Sequence, residues 1–150
     1  ALIKSLGVEI IHNTEVGKDI SLDKIFSDFD AVFSAVGLFQ GRSTRIEGSN
    51  EKGVYRAIEL LRQFTLGEDI PVEKKIVVIG GGNVAMDIAR TLARLQKRMF
   101  GNVDIVVTSL ESRDIMPADE EEIVEAEEEG ISFIPARGPK KIEKSQTGLK

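Results

Sequence analysis

"KKIVVIGGGNVAMDIAR", residues 74–90, joins two lysines, a short run of β-branched residues, three consecutive glycines and a helix-like pattern. Ile76 to Ile79 read as a strand. After the glycines, "VAMDIARTLARLQKR" repeats apolar positions at 84, 85, 88, 89, 92 and 95, which lie on one helical stripe. The glycines therefore stand where a strand ends and a helix begins. Gly80 to Ala85 fit the pattern G-x-G-x-x-A. Gly80 permits a tight turn off the strand, Gly82 has no side chain to obstruct a pyrophosphate, and Ala85 lets the helix pack closely on the strand. The helix N-terminus adds unpaired N–H groups and partial positive charge. Alone, the pattern is weak. Between a strand and a helix it predicts a dinucleotide-binding turn. The bland alternative is a glycine-rich turn in an unrelated α/β domain; a P-loop is disfavoured because no G-K-[ST] follows.

Beyond the turn, "VDIVVTS" (103–109) reads as a second buried strand and "ISFIPA" (131–136) as a third. Between them, "MPADEEEIVEAEEEG" (116–130) reads as a helix, with Pro117 near its start and acids in its first turn. Its acids between 119 and 129 could suggest a cation site, but a solvated face opposite a buried Ile123, Val124 and Ala126 is the better reading. The order strand–helix–strand–helix–strand implies a parallel sheet with right-handed crossovers.

Before the turn, residues 2–5 look like a helix end stopped by Gly7. "VEIIHN" (8–13) and "DAVFSAVG" (30–37) read as strands, and "SLDKIFSDF" (21–29) as a helix capped by Ser21. Residues 38–53 hold Gly41, Gly48 and Gly53 with little periodicity, which fits a crossing between domains. "VYRAIELLRQFTL" (54–66) is helical, with Ala57, Ile58, Leu60 and Leu61 on one face.

Composition narrows the chemistry. The 150 residues are 41% hydrophobic and 30% charged, as in a soluble globular chain. No apolar run approaches the roughly 18 residues that span a bilayer, and the start has no signal-peptide pattern. A net charge of −5 argues against nucleic acid as the main partner. Cysteine is absent, so these residues supply no thiolate metal site, iron–sulfur ligand or redox dithiol. Redox chemistry would fall to a cofactor. The chain opens at Ala1 without methionine and reads as one entered partway through.

An acid at the end of the second strand would bind the adenosine ribose and favour NAD, whereas arginines there would favour NADP. "TSLESR" offers Glu111 as the acid and Arg113 as a phosphate partner. Glu111 lies further from the glycines than the usual spacing of about 20 residues, an excess that the insertion "QKRMFGN" (96–102) could absorb. Glu111 as an ordinary exposed loop acid is the alternative. Asp87 could touch the cofactor or merely support the helix N-terminus.

"LGVEIIHNTEVGKDISL", "DAVFSAVG", "GVYRAIELLR", "IVVIGGGNVAMDIAR" and "SRDIMPADEEEIVEAEEEGI" together resemble the glutamate synthase small (beta) subunit and its relatives. These are FAD-dependent NAD(P)H oxidoreductases that include the N-terminal part of dihydropyrimidine dehydrogenase. The resemblance covers nearly the whole chain and implies an α/β fold: a Rossmann-like parallel sheet, half of an NAD(P)H domain, plus a piece of the FAD domain of a two-dinucleotide flavoprotein. Residues 1–47 would belong to the FAD domain, 48–73 would connect, and 74–150 would open the NAD(P)H domain. "SAVG" (34–37) stands where the family has its "ATG" strand end, which puts Ala35 and Gly37 near the flavin. The nucleotide set is then Gly80, Gly81, Gly82, Asn83, Val84 and Ala85, with Glu111 and Arg113. The family's flavin glycine motif, its C-terminal flavin segment and its N-terminal cysteines have no match here, so the expectation is an internal fragment unlikely to hold FAD by itself.

One departure is informative. Where the family commonly has "YRRSREEMPA", this chain has "SLESRDIMPA", Ser109 to Ala118. Leu110 and Glu111 replace the paired arginines that, by resemblance, hold the NADP 2′-phosphate, and only Arg113 remains. NADH preference is expected. The implied activity is hydride transfer from NAD(P)H to FAD, with electrons passing to an iron–sulfur centre or a large-subunit acceptor in the cytoplasm. No residue is assigned to catalysis or to a metal. His12 and Ser34 read as structural, the latter because no glycine completes a G-x-S-x-G elbow. Two other readings stand beside this one: a non-catalytic NAD(H)-binding regulatory module, and another Rossmann-type enzyme.

Overall fold

The computed structural model describes residues 2–37, 41, 45–146 and 148–150. The chain divides into two compact units, Ala1–Gly37 and Leu38–Lys150.

The first unit carries two short helices, α1 (Leu2–Ser5) and α2 (Leu22–Asp28). Gly7, with φ of 81°, terminates the turn after α1. Ser21 caps α2, its Oγ accepting from the Lys24 N–H at 3.2 Å. Neither 8–13 nor 30–37 is a strand, which corrects both expectations. A strand exists only through its ladder, and the unit's described residues supply one isolated bridge, Val16 to Ile20. Val8, Ile11, Phe33 and Val36 are exposed accordingly.

In the second unit, β1 (Ile76–Ile79), β2 (Ile105–Thr108) and β3 (Ser132–Ile134) form a parallel sheet in the order β1-β2-β3. The register sets Val78 beside Val107 and Val107 beside Phe133. Strand residues alternate between faces, and one face carries the core. Val78, Ile105 and Val107 are buried there against α4 (Asn83–Phe100), whereas Val77 on the opposite face is 65% exposed. Among the described residues of this unit no helix covers that second face.

α4 is the centre of the unit. It packs on both β1 and β2, and on α3 (Ala57–Thr65) and α5 (Glu120–Glu128). Met86, Ile88, Ala89, Leu92 and Ala93 are buried among Leu60, Ile123 and Ala126. Burying each of the larger apolar side chains contributes about 1.5–3 kcal/mol. Because neighbours surround α4 on several sides, its buried arc is wider than one stripe and includes Met86, Ala93 and Gln96, while Val84 is 47% exposed. Residues 96–100 continue the helix rather than forming an insertion after it, and Gly101 (φ 79°) closes it. Buried Gln96 ties the lower ends of two strands: its Nε2 donates to Glu73 O at 2.6 Å and its Oε1 accepts from Asp104 N at 2.8 Å.

α5 begins at Glu120, later than the sequence pattern implied. Ile123 and Ala126 face the core, but Val124 is exposed, and the acids are not simply a solvated face. Arg90 of α4 reaches Glu122 (2.5 Å), Glu129 (3.1 Å) and Glu125, and Arg94 reaches Glu129 at 2.7 Å. Burial pushes the Glu129 carboxyl up, but the bonds and charges of Arg94 and Arg90 outweigh it and hold it below the ordinary 4.5. A carboxyl held lower in the folded than in the unfolded chain adds stability above its unfolded value, and that stability is lost as pH falls through the folded one. Chemical denaturation at pH 6 and pH 3.5 should therefore show a lower midpoint in acid. Replacing Arg90 by methionine should shrink the difference.

Candidate functional site

The glycine turn lies between β1 and α4, at the C-terminal edge of the sheet, and each glycine meets a different demand. Gly80 has φ of 140°, which L side chains rarely adopt, and a Cβ there would sit 3.5 Å from Ala85 Cβ. Turn and helix therefore approach as the G-x-G-x-x-A pattern requires. Gly81 is buried, and a Cβ on it would stand 3.0 Å from Ser109 Cβ and 3.2 Å from Glu111 Oε2. Gly82, the N-cap of α4, has extended backbone (φ −99°, ψ 173°) and nothing within 4 Å of a Cβ. Open space lies over it.

Backbone donors face the same turn. Gly80 N–H is used by the sheet, donating to Thr108 O at 2.8 Å, and Ala85 and Met86 donate back to Gly82 O. Among the described residues, the N–H groups of Gly81, Gly82, Asn83 and Val84 have no acceptor. Four successive free donors at the N-terminus of an 18-residue helix favour an anion.

The segment after β2 braces this turn. Ala118 N–H donates to Gly81 O at 2.9 Å. Asn83 and Asp119, the N-cap of α5, exchange two bonds: Asn83 Nδ2 donates to Asp119 Oδ2 at 2.9 Å, and Asp119 N–H donates to Asn83 Oδ1 at 2.8 Å. Asn83 thus spends its side chain on bracing and leaves its backbone N–H free. Ser109 Oγ donates to the Glu111 carbonyl at 2.8 Å, and Ala136 N–H donates to the same oxygen at 2.8 Å, which anchors Glu111 beside Gly81.

Glu111 and the turn are thereby brought together. Arg113, in a 3-10 turn at Arg113–Ile115, is instead bonded to Glu120 by two contacts of 2.8 Å. Those bonds, with support from Glu127, hold its pKa above the ordinary value. Asp87 is exposed and Val84 half exposed. Ala35 and Gly37 lie in the first unit, both exposed, with Gly37 at φ of 72°. Sequence reasoning missed Asp119 and Ala118; the "MPAD" stretch beside "GGGN" was the available signal, but their pairing spans 36 residues. A cavity of about 380 Å³ lined by Tyr55, Arg56, Glu59 and Asp69 lies against α3 rather than at the glycine turn. Among the described residues, no group of three or more His, Cys, Asp or Glu is placed to hold a metal ion, and no helix is long and apolar enough to cross a membrane.

A parallel sheet entered by a strand–glycine turn–helix junction defines a Rossmann-like α/β unit. The chain matches the pyridine nucleotide-disulphide oxidoreductase family over residues 2–150, and it belongs to that family. It is 39% identical to the NADPH-Fe(3+) oxidoreductase subunit beta of Geobacter sulfurreducens, over 88% of this chain and 19% of that one. It is 35% identical to the glutamate synthase [NADPH] small chain of Escherichia coli K12, over 88% of this chain and 29% of that one. A third relative, at 32% identity, is the NAD-dependent dihydropyrimidine dehydrogenase subunit PreT of Escherichia coli O157:H7, matched over 100% of this chain and 35% of that one. The chain thus spans between 19% and 35% of the length of these relatives.

Proposed function

We propose that these residues are the NAD(P)H-binding portion of a flavin-dependent oxidoreductase that acts in the cytoplasm. The full-length protein passes a hydride to FAD and electrons onward to an iron–sulfur centre or a large partner subunit. The observation that carries this reading is the row of free N–H groups at Gly81–Val84 beneath the open space over Gly82. A pyrophosphate bridged between two nucleosides is the anion this Rossmann-type junction suits. When bound, the nicotinamide supplies a hydride; Ala35 and Gly37 are assigned to the flavin side of the full-length protein. These residues bind and orient: the turn's amides hold the phosphates, and Glu111 meets the adenosine ribose.

Glu111 also favours NADH. Its carboxylate accepts from ribose hydroxyls but repels a dianionic 2′-phosphate, and the neighbouring Leu110 brings no cation. The names of two relatives carry NADPH and that of the third NAD, so both nucleotides are named within the family. Calorimetric titration of the full-length protein should give NADH the lower Kd by about tenfold or more, from charged bonds worth ~1.5–3 kcal/mol each. Tighter binding of NADPH refutes the preference. Replacing Glu111 by arginine should narrow or reverse the ratio.

A further inference from the structure

We propose that Glu120 sets nucleotide preference by holding Arg113 away from the ligand; this rests on reading the glycine turn as a dinucleotide cradle. Arg113 lies in the loop after β2, the part of a Rossmann-type unit that meets the adenosine ribose and where an arginine accommodates a 2′-phosphate. Both ends of that loop are tied to the turn. Glu111 lies beside Gly81 at one end, and Ala118 and Asp119 bond Gly81 and Asn83 at the other. Arg113 is therefore the cation placed to receive a phosphate, yet three of its five N–H donors, one on each nitrogen, are already engaged. Nη1 and Nη2 each donate to Glu120 at 2.8 Å, and Nε donates to Glu127 at 3.4 Å.

The helix explains the grip. Glu120 and Glu127 stand two turns apart on α5, so both side chains fall on one face and fork around a single guanidinium. Together the three side chains carry one net negative charge, which Glu111 increases. A nucleotide with a 2′-phosphate has to compete with Glu120 for Arg113; a nucleotide with a 2′-hydroxyl does not. The grip is nonetheless a surface one, since the Arg113 side chain is 31% exposed and that of Glu120 70%. Exposed pairs of this kind are weak, so removing Glu120 should leave Arg113 with its longer 3.4 Å contact to Glu127 and not disturb the fold.

The test uses the full-length protein with Glu120→Gln, Arg113→Ala and the double variant, titrated with NADH and with NADPH. Glu120→Gln should tighten NADPH by about threefold to fivefold and leave NADH within about twofold, the scale expected from one exposed ion pair. Adding Arg113→Ala should abolish that gain, and Arg113→Ala alone should barely move NADPH. If Glu120→Gln leaves NADPH unchanged, or tightens both nucleotides equally, the proposal is overturned while the cradle reading stands. If the unaltered protein binds neither nucleotide, both fail together.

Discussion

Replacing Gly82 by valine should weaken NADH binding by roughly 30- to 100-fold while leaving the thermal midpoint within about 2 °C of the unaltered protein. The fold tolerates the change because Gly82 has φ of −99° and ψ of 173°, a conformation open to any L-residue, and no atom lies within 4 Å of a Cβ there. The ligand does not tolerate it. An isopropyl group over the free N–H groups of Gly81–Val84 keeps a pyrophosphate from their reach, and losing one or two charge-assisted bonds costs about 2–3 kcal/mol. The neighbouring glycines should behave differently. Alanine at Gly80 meets a positive φ of 140°, and at Gly81 its Cβ stands 3.0 Å from Ser109 Cβ, so both should destabilise the chain. A Gly82 variant that binds NADH normally would place the phosphates elsewhere.

Arg90→Met should lower unfolding stability by about 1–3 kcal/mol, read as a lower denaturation midpoint with an unchanged slope. The Arg90 side chain is only 14% exposed and meets Glu122, Glu125 and Glu129 of α5. Methionine keeps an apolar stem of similar length but, among the described residues, leaves those carboxylates with only Arg94 nearby, which contacts Glu129 alone. Glu129 Oε2 is already buried without a partner, so the remaining charge has little solvent to fall back on. The figure stays well below that of a fully buried pair because Glu125 is half exposed. An unchanged midpoint would show that packing, not charge, joins α4 to α5.

Local chemistry made the second unit legible. Glycines and β-branched runs mark β1, the turn, α4, β2 and β3 through constraints acting within a few residues. Elements that need distant partners were not so marked. Residues 8–13 and 30–37 have strand-like composition, but a strand requires a ladder that the described residues of the first unit do not supply. The acids of α5 look solvated until Arg90 and Arg94, at helical spacing on α4, are set opposite them. At the site, the tight turn at Gly80 and its close approach to Ala85 follow from backbone geometry alone. Arg113 could be read only as a cation just after the second strand; its commitment to Glu120 and Glu127 depends on how α5 folds back. The Asn83–Asp119 brace was hidden for the same reason.

The most direct measurement is a crystal structure of the full-length protein with NADH bound. The account predicts pyrophosphate oxygens within hydrogen-bond distance, about 2.7–3.2 Å, of the free amides between Gly81 and Val84, with a ribose hydroxyl at Glu111. A nucleotide bound elsewhere, leaving those amides facing only water, would contradict it.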